Sequence, residues 1–563
     1  MDFLLVNMTD KTAKRMMLPK KYEKLGGRSL SSTLVADRVD PLIDALGPLN
    51  TLVFATGLLS GTIGSSLSRI SVGAKSPLTG GIKEANAGGD TAFRLNQAGL
   101  RAILVEGMAE DTYVLEIGLS GSKLVPMPEL KLLNVSDTMS ALRKKYGKHI
   151  SAAVIGSAGE RKMPAAGIAH TDTDGRATRY SARGGLGAVM GSKGLKAIVF
   201  IFDRLRFWEV SDQETYKKAV KKYHNNLLSD PGTAERRPKY GTAVTLELVN
   251  EVGGLPTRNF REGQFEKAEN IGGYRLYDII VSRGGEGTPT HACMPGCVVR
   301  CSNRYPKEDG SFLVSPIEYE TNAMVGSNLG IGDFDEIAEI TRLCNEYGLD
   351  TIEVGVTLGI TVEAGLLSFG DGKKAIDLVH EIGKGSELGK VLGQGAYYTA
   401  KHYGIERIPA VKKQAIPAYD PRAIKGNGVT YATSPMGADH TAGNTIGHNI
   451  DHLSKEGKIE LSKKLQVYNM INDSLGACAF VQGILFKDKD LLTEMLSSYQ
   501  GREWSWEELK EMAYRSLVKE VRFNDEAGLI ENDLPEFFSK EPLPPHNVVW
   551  DFDKEELADF WSE

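Results

Sequence analysis

The stretch His291–Arg304 reads H-A-C-M-P-G-C-V-V-R-C-S-N-R and holds three of the chain's five cysteines, Cys293, Cys297 and Cys301. Three residues separate each from the next. Soft thiolates crowded into a turn-rich segment suit an iron–sulfur cluster or a zinc ion. Structural zinc sites usually come as two paired cysteine knuckles, and one pair is missing here. Pro295 and Gly296 favour a loop wrapped around a bulky cluster. A [4Fe–4S] cluster needs a fourth thiolate. Cys478 lies in Asn472-Asp-Ser-Leu-Gly-Ala-Cys, two residues after a glycine able to break a helix and present a ligand. On spacing alone zinc stays open. The leftover Cys344 reads as a buried apolar thiol.

Composition bounds the rest. At 563 residues, two to four domains are expected. An apolar content of 41% and a charged content of 25% are those of an ordinary globular protein. The net charge of −6, without a long basic run, gives no reason to expect nucleic acid. No apolar run approaches the roughly 20 residues of a membrane span. The N-terminus lacks a signal-peptide pattern. Odd, clustered cysteines argue against a secreted disulfide scaffold. These features predict a cytoplasmic enzyme.

Short apolar runs at Thr51–Thr56, Arg101–Gly107, Tyr113–Ile117, Ala153–Gly156 and Lys196–Phe202 predict strands, with a helix over 89–100. Two glycine-rich segments, Gly61–Gly89 and Arg183–Lys193, lie between them and carry Arg69 and Arg183. Backbone N–H groups of such loops can approach a large anionic or heteroaromatic ligand, although either loop alone is more often a tight turn. Helices are predicted over 212–228, 334–347, 351–367, 375–390, 461–485 and 505–521. No internal repeat is visible. Residues 534–563 are Pro- and acid-rich and read as an extended surface tail.

The segments S-P-L-T-G-G, R-G-G-L-G-A-V-M-G-S-K, C-M-P-G-C-V-V-R-C, A-Y-D-P-R, G-A-D-H and D-S-L-G-A-C run across essentially the whole chain. Together they resemble the tungsten-dependent aldehyde:ferredoxin oxidoreductases. The resemblance implies an α+β fold: an N-terminal β-sheet domain (1–205) that is the base for a bis-pterin, then two mainly α-helical domains (206–410 and 411–563). It implies tungsten, or molybdenum, held by two pterin dithiolenes, a [4Fe–4S] cluster and a magnesium ion. Cys293, Cys297, Cys301 and Cys478 would hold the cluster. Members often separate the first two cysteines by two residues; this chain has three.

Arg69, Asn86, Gly88, Arg183 and Gly184 would contact pterin, with the Asn86 and Gly184 carbonyls on magnesium. Of the two D-x-x-G-L-(C/D) motifs, one is Asp473–Cys478 with Gly476. The other is Asn345–Asp350, with Gly348 and Leu349 retained and Asn replacing Asp. Glu318, or else Glu320, matches the active-site carboxylate, His440 the active-site histidine and Tyr419 a pocket tyrosine. Arg342 stands where a His would complete an E-x-x-H pair with Glu339, a bridging-iron motif.

The implied reaction is R-CHO + H2O → R-COOH + 2e− + 2H+. Glu318 would serve as general base, and His440 would polarise the carbonyl or shuttle a proton. Electrons would leave through the cluster to ferredoxin or a small iron–sulfur subunit. The same motifs leave open a reductase of an acid or aryl thioester, a cluster-bearing electron-transfer subunit, and an oligomer. They do not name the aldehyde.

Overall fold

The computed structural model describes residues 1–119, 121–202, 210–530 and 532–562. The expected boundary at 205/206 lies outside the described residues. The N-terminal part is built on two six-stranded sheets. The first runs, edge to edge, 12–17, 2–7, 100–106, 52–56, 70–75 and 82–87. The second runs 122–126, 113–117, 195–200, 151–154, 168–171 and 177–181. Written this way, the two sheets have one strand order and one connectivity. In each, the single parallel pairing joins the first strand to the last, and all other neighbours are antiparallel. The chain therefore contains an internal structural repeat that its residues do not show, because the two halves share connectivity and burial pattern rather than side-chain identity.

Strands buried on both faces drive this arrangement. Leu52 and Phe54 of the first sheet and Ile198 and Phe200 of the second point into one apolar layer between the sheets. The alternate residues Val53 and Ala55 pack outward against the helix Gly27–Arg38. Likewise Ala197 and Val199 pack outward against the helix Val135–Tyr146. The segment Gly61–Gly89 is thus not mainly loop. It holds the buried strands Ile70–Lys75 and Ile82–Ala87, whose small residues let a helix lie close: a Cβ on Gly73 would meet the Ser31 Cβ at 3.1 Å. Likewise Arg183–Lys193 is a tight turn followed by the helix Leu186–Ser192.

From residue 213 the chain is mainly helical, with helices at Gln213–Ser229, Phe334–Tyr347, Thr351–Glu363, Gly372–Lys384, Lys458–Leu475, Ala479–Lys487 and Trp506–Glu526 among others. The expected division at 410/411 falls on a two-strand hairpin, Ala410–Val411 with Gln414–Ala415, and one apolar cluster running from Leu58 to Trp561 crosses it. No described helix is long and apolar enough to cross a membrane. The long helix Trp506–Glu526 returns to the sheet domain, where buried Glu520 accepts from Arg28 Nε at 3.0 Å and Nη2 at 2.7 Å, and from Ser32 at 2.5 Å.

The C-terminal stretch is not an extended surface tail. Its prolines and acids are interleaved with Phe538, Leu543, Trp550, Phe552, Leu557, Phe560 and Trp561, all buried. Phe538 is fully buried edge-on to Phe260, and Trp561 donates its indole N–H to the Thr433 carbonyl at 2.9 Å. The aromatic content outweighs the polar composition. Phe538→Ala should therefore cost about 3–5 kcal/mol, as large-to-small changes in packed cores do. Thermal unfolding checks this: a clearly lowered midpoint is expected, and an unchanged one would return the segment to the surface.

Candidate active site

Two short loops of the helical part dock onto two loops of the sheet domain, and their chemistry-bearing residues meet there. Each docking loop is a helix–glycine–helix turn. Asn345 ends the helix Phe334–Tyr347, Gly348 caps it at φ 76°, and Asp350 opens the helix Thr351–Glu363. Asp473 ends the helix Lys458–Leu475, Gly476 caps it at φ 77°, and Cys478 opens the helix Ala479–Lys487. Only glycine enters that left-handed conformation without strain.

The first loop is held by Gly167 N–H to the Gly348 carbonyl (2.9 Å) and Asp350 N–H to the Ala165 carbonyl (3.0 Å), with Leu349 bridged to Ala166. The second is held by Leu58 and Leu59 N–H to the Ser474 and Leu475 carbonyls, Arg69 N–H to the Gly476 carbonyl and Cys478 N–H to the Ser66 carbonyl, at 2.9–3.0 Å.

The second docking brings Cys478 to the cysteine loop. Ser66 Oγ donates to Cys297 Sγ at 3.3 Å, and Val298 N–H donates to Ser65 Oγ at 3.0 Å. Gly89 N–H donates to the Cys293 carbonyl, and a Cβ on Gly88 would lie 3.1 Å from Cys293 Sγ. The bond from Cys293, then those from Ser66 and two backbone N–H groups, bring the Cys297 thiol down to about 6 against the pull of burial. Burial pushes Cys478 up, opposed by Arg69 and the Phe480 N–H at the helix N-terminus. Arg69 is half-buried, and although desolvation acts to lower it, nearby Cys478, Cys293, Asp473 and Glu318 hold its guanidinium above the ordinary value. Cys344 is fully buried away from this set, its thiol pushed up by burial.

A second group of buried charges lines the other side. Arg183 donates to the Ala438 carbonyl (2.6 Å), the Ala415 carbonyl (2.5 Å) and Asp350 (3.3 Å). Lys83 is paired with Asp439 at 2.7 Å. Burial acts to raise the Asp439 carboxyl, but Lys83, Arg183 and His440 outweigh it and hold it well below the usual range. Asp473 shows the opposite: burial, with Glu84 beside it, raises it despite Arg28 and Arg69. Gly184, at φ 80°, lets the Lys83 stem pass where a Cβ would sit.

The expected acid–base residues separate into two places. Glu320 Oε1 lies 3.2 Å from His440 Nε2, while its Oε2 accepts from Ala418 N–H at 2.8 Å. The Tyr419 ring lies 5.7 Å from the His440 ring and 5.2 Å from that of Tyr319, tilted to both. Burial raises the Glu320 carboxyl, partly offset by His440. Glu318 instead accepts from Thr242 Oγ1 at 3.2 Å and acts electrostatically on Cys301 and Arg69. Of the two carboxylates, Glu320 is the one paired with the histidine.

The remaining expected residues are held by the protein itself. The Asn86 carbonyl accepts from Arg69 at 3.1 Å, the Gly184 carbonyl from Ser76 at 2.7 Å, and the Asn345 amide donates to the Ser315 carbonyl at 3.2 Å. Arg342 bonds Glu339 through Nε (2.8 Å) and Nη2 (2.5 Å), occupying that carboxylate. Lys83, Arg28 and Glu353 carried no recognisable signal in the sequence, whereas Asp439 lies in the G-A-D-H segment but was given no role of its own. Glu353, raised to about 7 chiefly by burial, accepts Ala396 and Ala415 N–H beneath Arg183.

The residues present fit a large, polar, anionic group. Asn86 Nδ2, Glu84 Oε1 and His440 Nδ1 are buried without partners, which a folded protein rarely leaves uncompensated. Buried Lys83 and Arg183, with nearby Arg69, supply positive charge.

Comparison with known proteins gives the same outline. The model for the N-terminal domain of aldehyde ferredoxin oxidoreductase matches residues 3–201, and that for its domains 2 and 3 matches residues 218–559. The chain belongs to the aldehyde ferredoxin oxidoreductase family. It is 34% identical to the tungsten-containing aldehyde ferredoxin oxidoreductase of Pyrococcus horikoshii, covering 96% of this chain and 91% of that one. The Pyrococcus furiosus protein of the same name is 34% identical over 94% and 88%. A Pyrococcus furiosus aliphatic sulfonate oxidoreductase, WOR-like subunit, is 27% identical over 78% and 74%. Among solved structures, the active site complex BamBC of benzoyl coenzyme A reductase superposes with a TM-score of 0.80 over 100% of this chain and 93% of that one. At 20% identity this is likeness of fold.

The Asp439 pair gives a pH prediction. A carboxyl whose folded pKa is depressed contributes stability above its unfolded value of 3.8, and loses it as pH falls further. Asp439→Asn should therefore lower the thermal midpoint at pH 7, and the gap to wild type should narrow below pH 3.8. A gap independent of pH would show that the carboxylate charge is not what Lys83 and Arg183 hold.

Proposed function

We propose that this protein oxidises aldehydes to carboxylic acids, with tungsten (or molybdenum) held by two pterins as its redox centre. A [4Fe–4S] cluster on Cys293, Cys297, Cys301 and Cys478 carries electrons toward ferredoxin or a small iron–sulfur subunit. What carries this reading is that Arg69 stands beside Cys293, Cys478 and Asp473, in a chain 34% identical to tungsten-containing aldehyde ferredoxin oxidoreductases. When bound, the metal centre supplies the two-electron redox change and the cluster passes those electrons on singly.

The spacing of the thiols supports a cluster over zinc. Zinc–sulfur bonds of about 2.3 Å would bring all ligands within roughly 4.6 Å of one another. Among the described residues, no three of these sulfurs gather within 4.8 Å. For magnesium, the Asn86 and Gly184 carbonyls are the proposed ligands: each accepts one hydrogen bond, from Arg69 and Ser76, and would offer its second lone pair to the ion. Arg183 of the sheet domain with Asp350 of the first docking loop, and Arg69 of the sheet domain with Asp473 of the second, would each hold one pterin.

The chain's own part in the reaction is positioning and proton handling. With Nε2 turned to Glu320, His440 presents Nδ1 as its free ring nitrogen. In the imidazolium form Nδ1–H donates to the substrate carbonyl oxygen and polarises it. Glu320 accepts the proton lost by the attacking water and releases it to solvent once the acid has formed, its raised carboxyl suiting that exchange. Burial keeps the Tyr419 phenol protonated, so it orients by donating. Glu318 stays on the cluster side, beside Cys301 and Arg69. The likeness to the reductase complex extends to fold alone and moves none of these assignments.

The test is viologen-linked aldehyde oxidation by protein purified without air. Glu320→Gln and His440→Ala should each lower kcat by about 100-fold or more, the scale of lost general acid–base catalysis, with metal content retained. Glu318→Gln should stay within about tenfold. A large loss in Glu318→Gln with little in Glu320→Gln would reverse the two roles. Absence of turnover with every aldehyde, but reduction of an acid or aryl thioester, would replace the reaction.

A further inference from the structure

The surface outside the cysteine loop is basic and aromatic, in a chain whose net charge is −6. Three segments form it. The cysteine loop itself comes to the surface at Gly296, where an added Cβ would meet nothing within 4 Å, and at exposed Arg300. Beside it, Gly241 packs on the Cys301 carbonyl, at 2.9 Å from a Cβ built there, and directly follows the short helix Arg237–Tyr240. On that second segment Arg236 and Lys239 are exposed. Lys239 lies over the rings of Tyr240 and Tyr277 at 5.0 and 5.1 Å, and Tyr240 meets the half-exposed Tyr274 edge-on at 4.8 Å. The third segment follows Cys478: Ala479 is exposed, and the Phe480 ring lies under the Arg237 guanidinium at 4.4 Å.

Glu235 and Asp278 are the exposed acids on these segments and their neighbouring helix, fewer than the exposed cations Arg236, Lys239, Arg275 and Arg300. Arginine and tyrosine are the residues that carry binding energy at protein interfaces. A one-signed rim steers an oppositely charged partner to its docking site and makes association salt-dependent. Cys301 and Cys478, two of the four proposed cluster ligands, lie directly beneath this face.

We propose that this face docks a small, acidic iron–sulfur protein, which takes electrons one at a time from the cysteine-bound cluster. In the transfer one electron leaves the reduced cluster and reduces the partner's oxidised cluster; no proton or bond moves. The inference rests on the proposed cluster, and it adds the place and charge of the partner.

The test uses the holoenzyme and an acidic two-cluster ferredoxin, with binding read by titration calorimetry in the absence of aldehyde. Arg236→Glu/Lys239→Glu should raise Kd at least about tenfold at low ionic strength, and the effect should shrink in about 0.5 M salt, where exposed charges are screened. Viologen reduction should be unchanged in the same variant. Lys510→Glu/Arg515→Glu, on the remote helix Trp506–Glu526, should leave Kd unchanged. An unaltered Kd in the first variant, an equal rise in the second, or an equal loss of viologen rate would overturn the proposal. Since no aldehyde is present, failure of the oxidation reading would show separately, as absent turnover alongside intact binding.

Discussion

The site depends on main-chain hydrogen bonds between loops that no regular element satisfies. Residues 345–350 and 473–478 leave their helices at a glycine, and their freed backbone groups are buried. Burial without partners would cost on the order of 1–3 kcal/mol for each group. The loops at 165–167 and 57–69 of the sheet domain supply those partners. Once they do, the positions of Asp350, Asp473 and Cys478 are fixed. So is Arg69, whose own N–H is one of the bonds. The two six-stranded sheets are the rigid base on which both dockings occur, and their common connectivity explains why there are two dockings of the same kind.

Charge is the second constraint. The region holds more buried ionic groups than packing alone would keep, and several are imperfectly compensated. Glu84 and Asp473 share a buried neighbourhood with Arg28, and both carboxyls are raised. Asp439 is depressed between Lys83 and Arg183. Such opposed shifts within one region, with unpartnered Asn86 and His440 atoms among them, mark a place built for a bound group rather than for stability. The fold's cost is met elsewhere, in the apolar layer between the sheets and in the long cluster that takes in the C-terminal aromatics.

Much of this was legible in the residues. The helix over 334–347 has the expected limits, and those starting at 213, 351 and 506 begin within a residue of expectation, since an apolar stripe and an N-cap are local signals. The cysteines and the two glycine turns stood out because few alternatives explain such residues at such spacing. The strands 70–75 and 82–87 did not, because small residues needed for close helix packing read as loop. The repeat was hidden, since connectivity leaves no mark on composition. The tail misled because its prolines and acids outnumber its aromatics. Spacing favoured Glu318 over Glu320, but residues two apart across the start of a helix point to different places, and in the fold it is Glu320 that lies beside His440.

The central claim is that the paired loops hold a pterin-bound metal and an iron–sulfur cluster in one site. Elemental analysis of protein purified without air tests it most directly. The account predicts about one tungsten or molybdenum and about four irons per chain, the content of one such centre and one [4Fe–4S] cluster. Zinc at about one per chain, with neither tungsten nor molybdenum present, would contradict it, because four thiolates closed around zinc make a structural site.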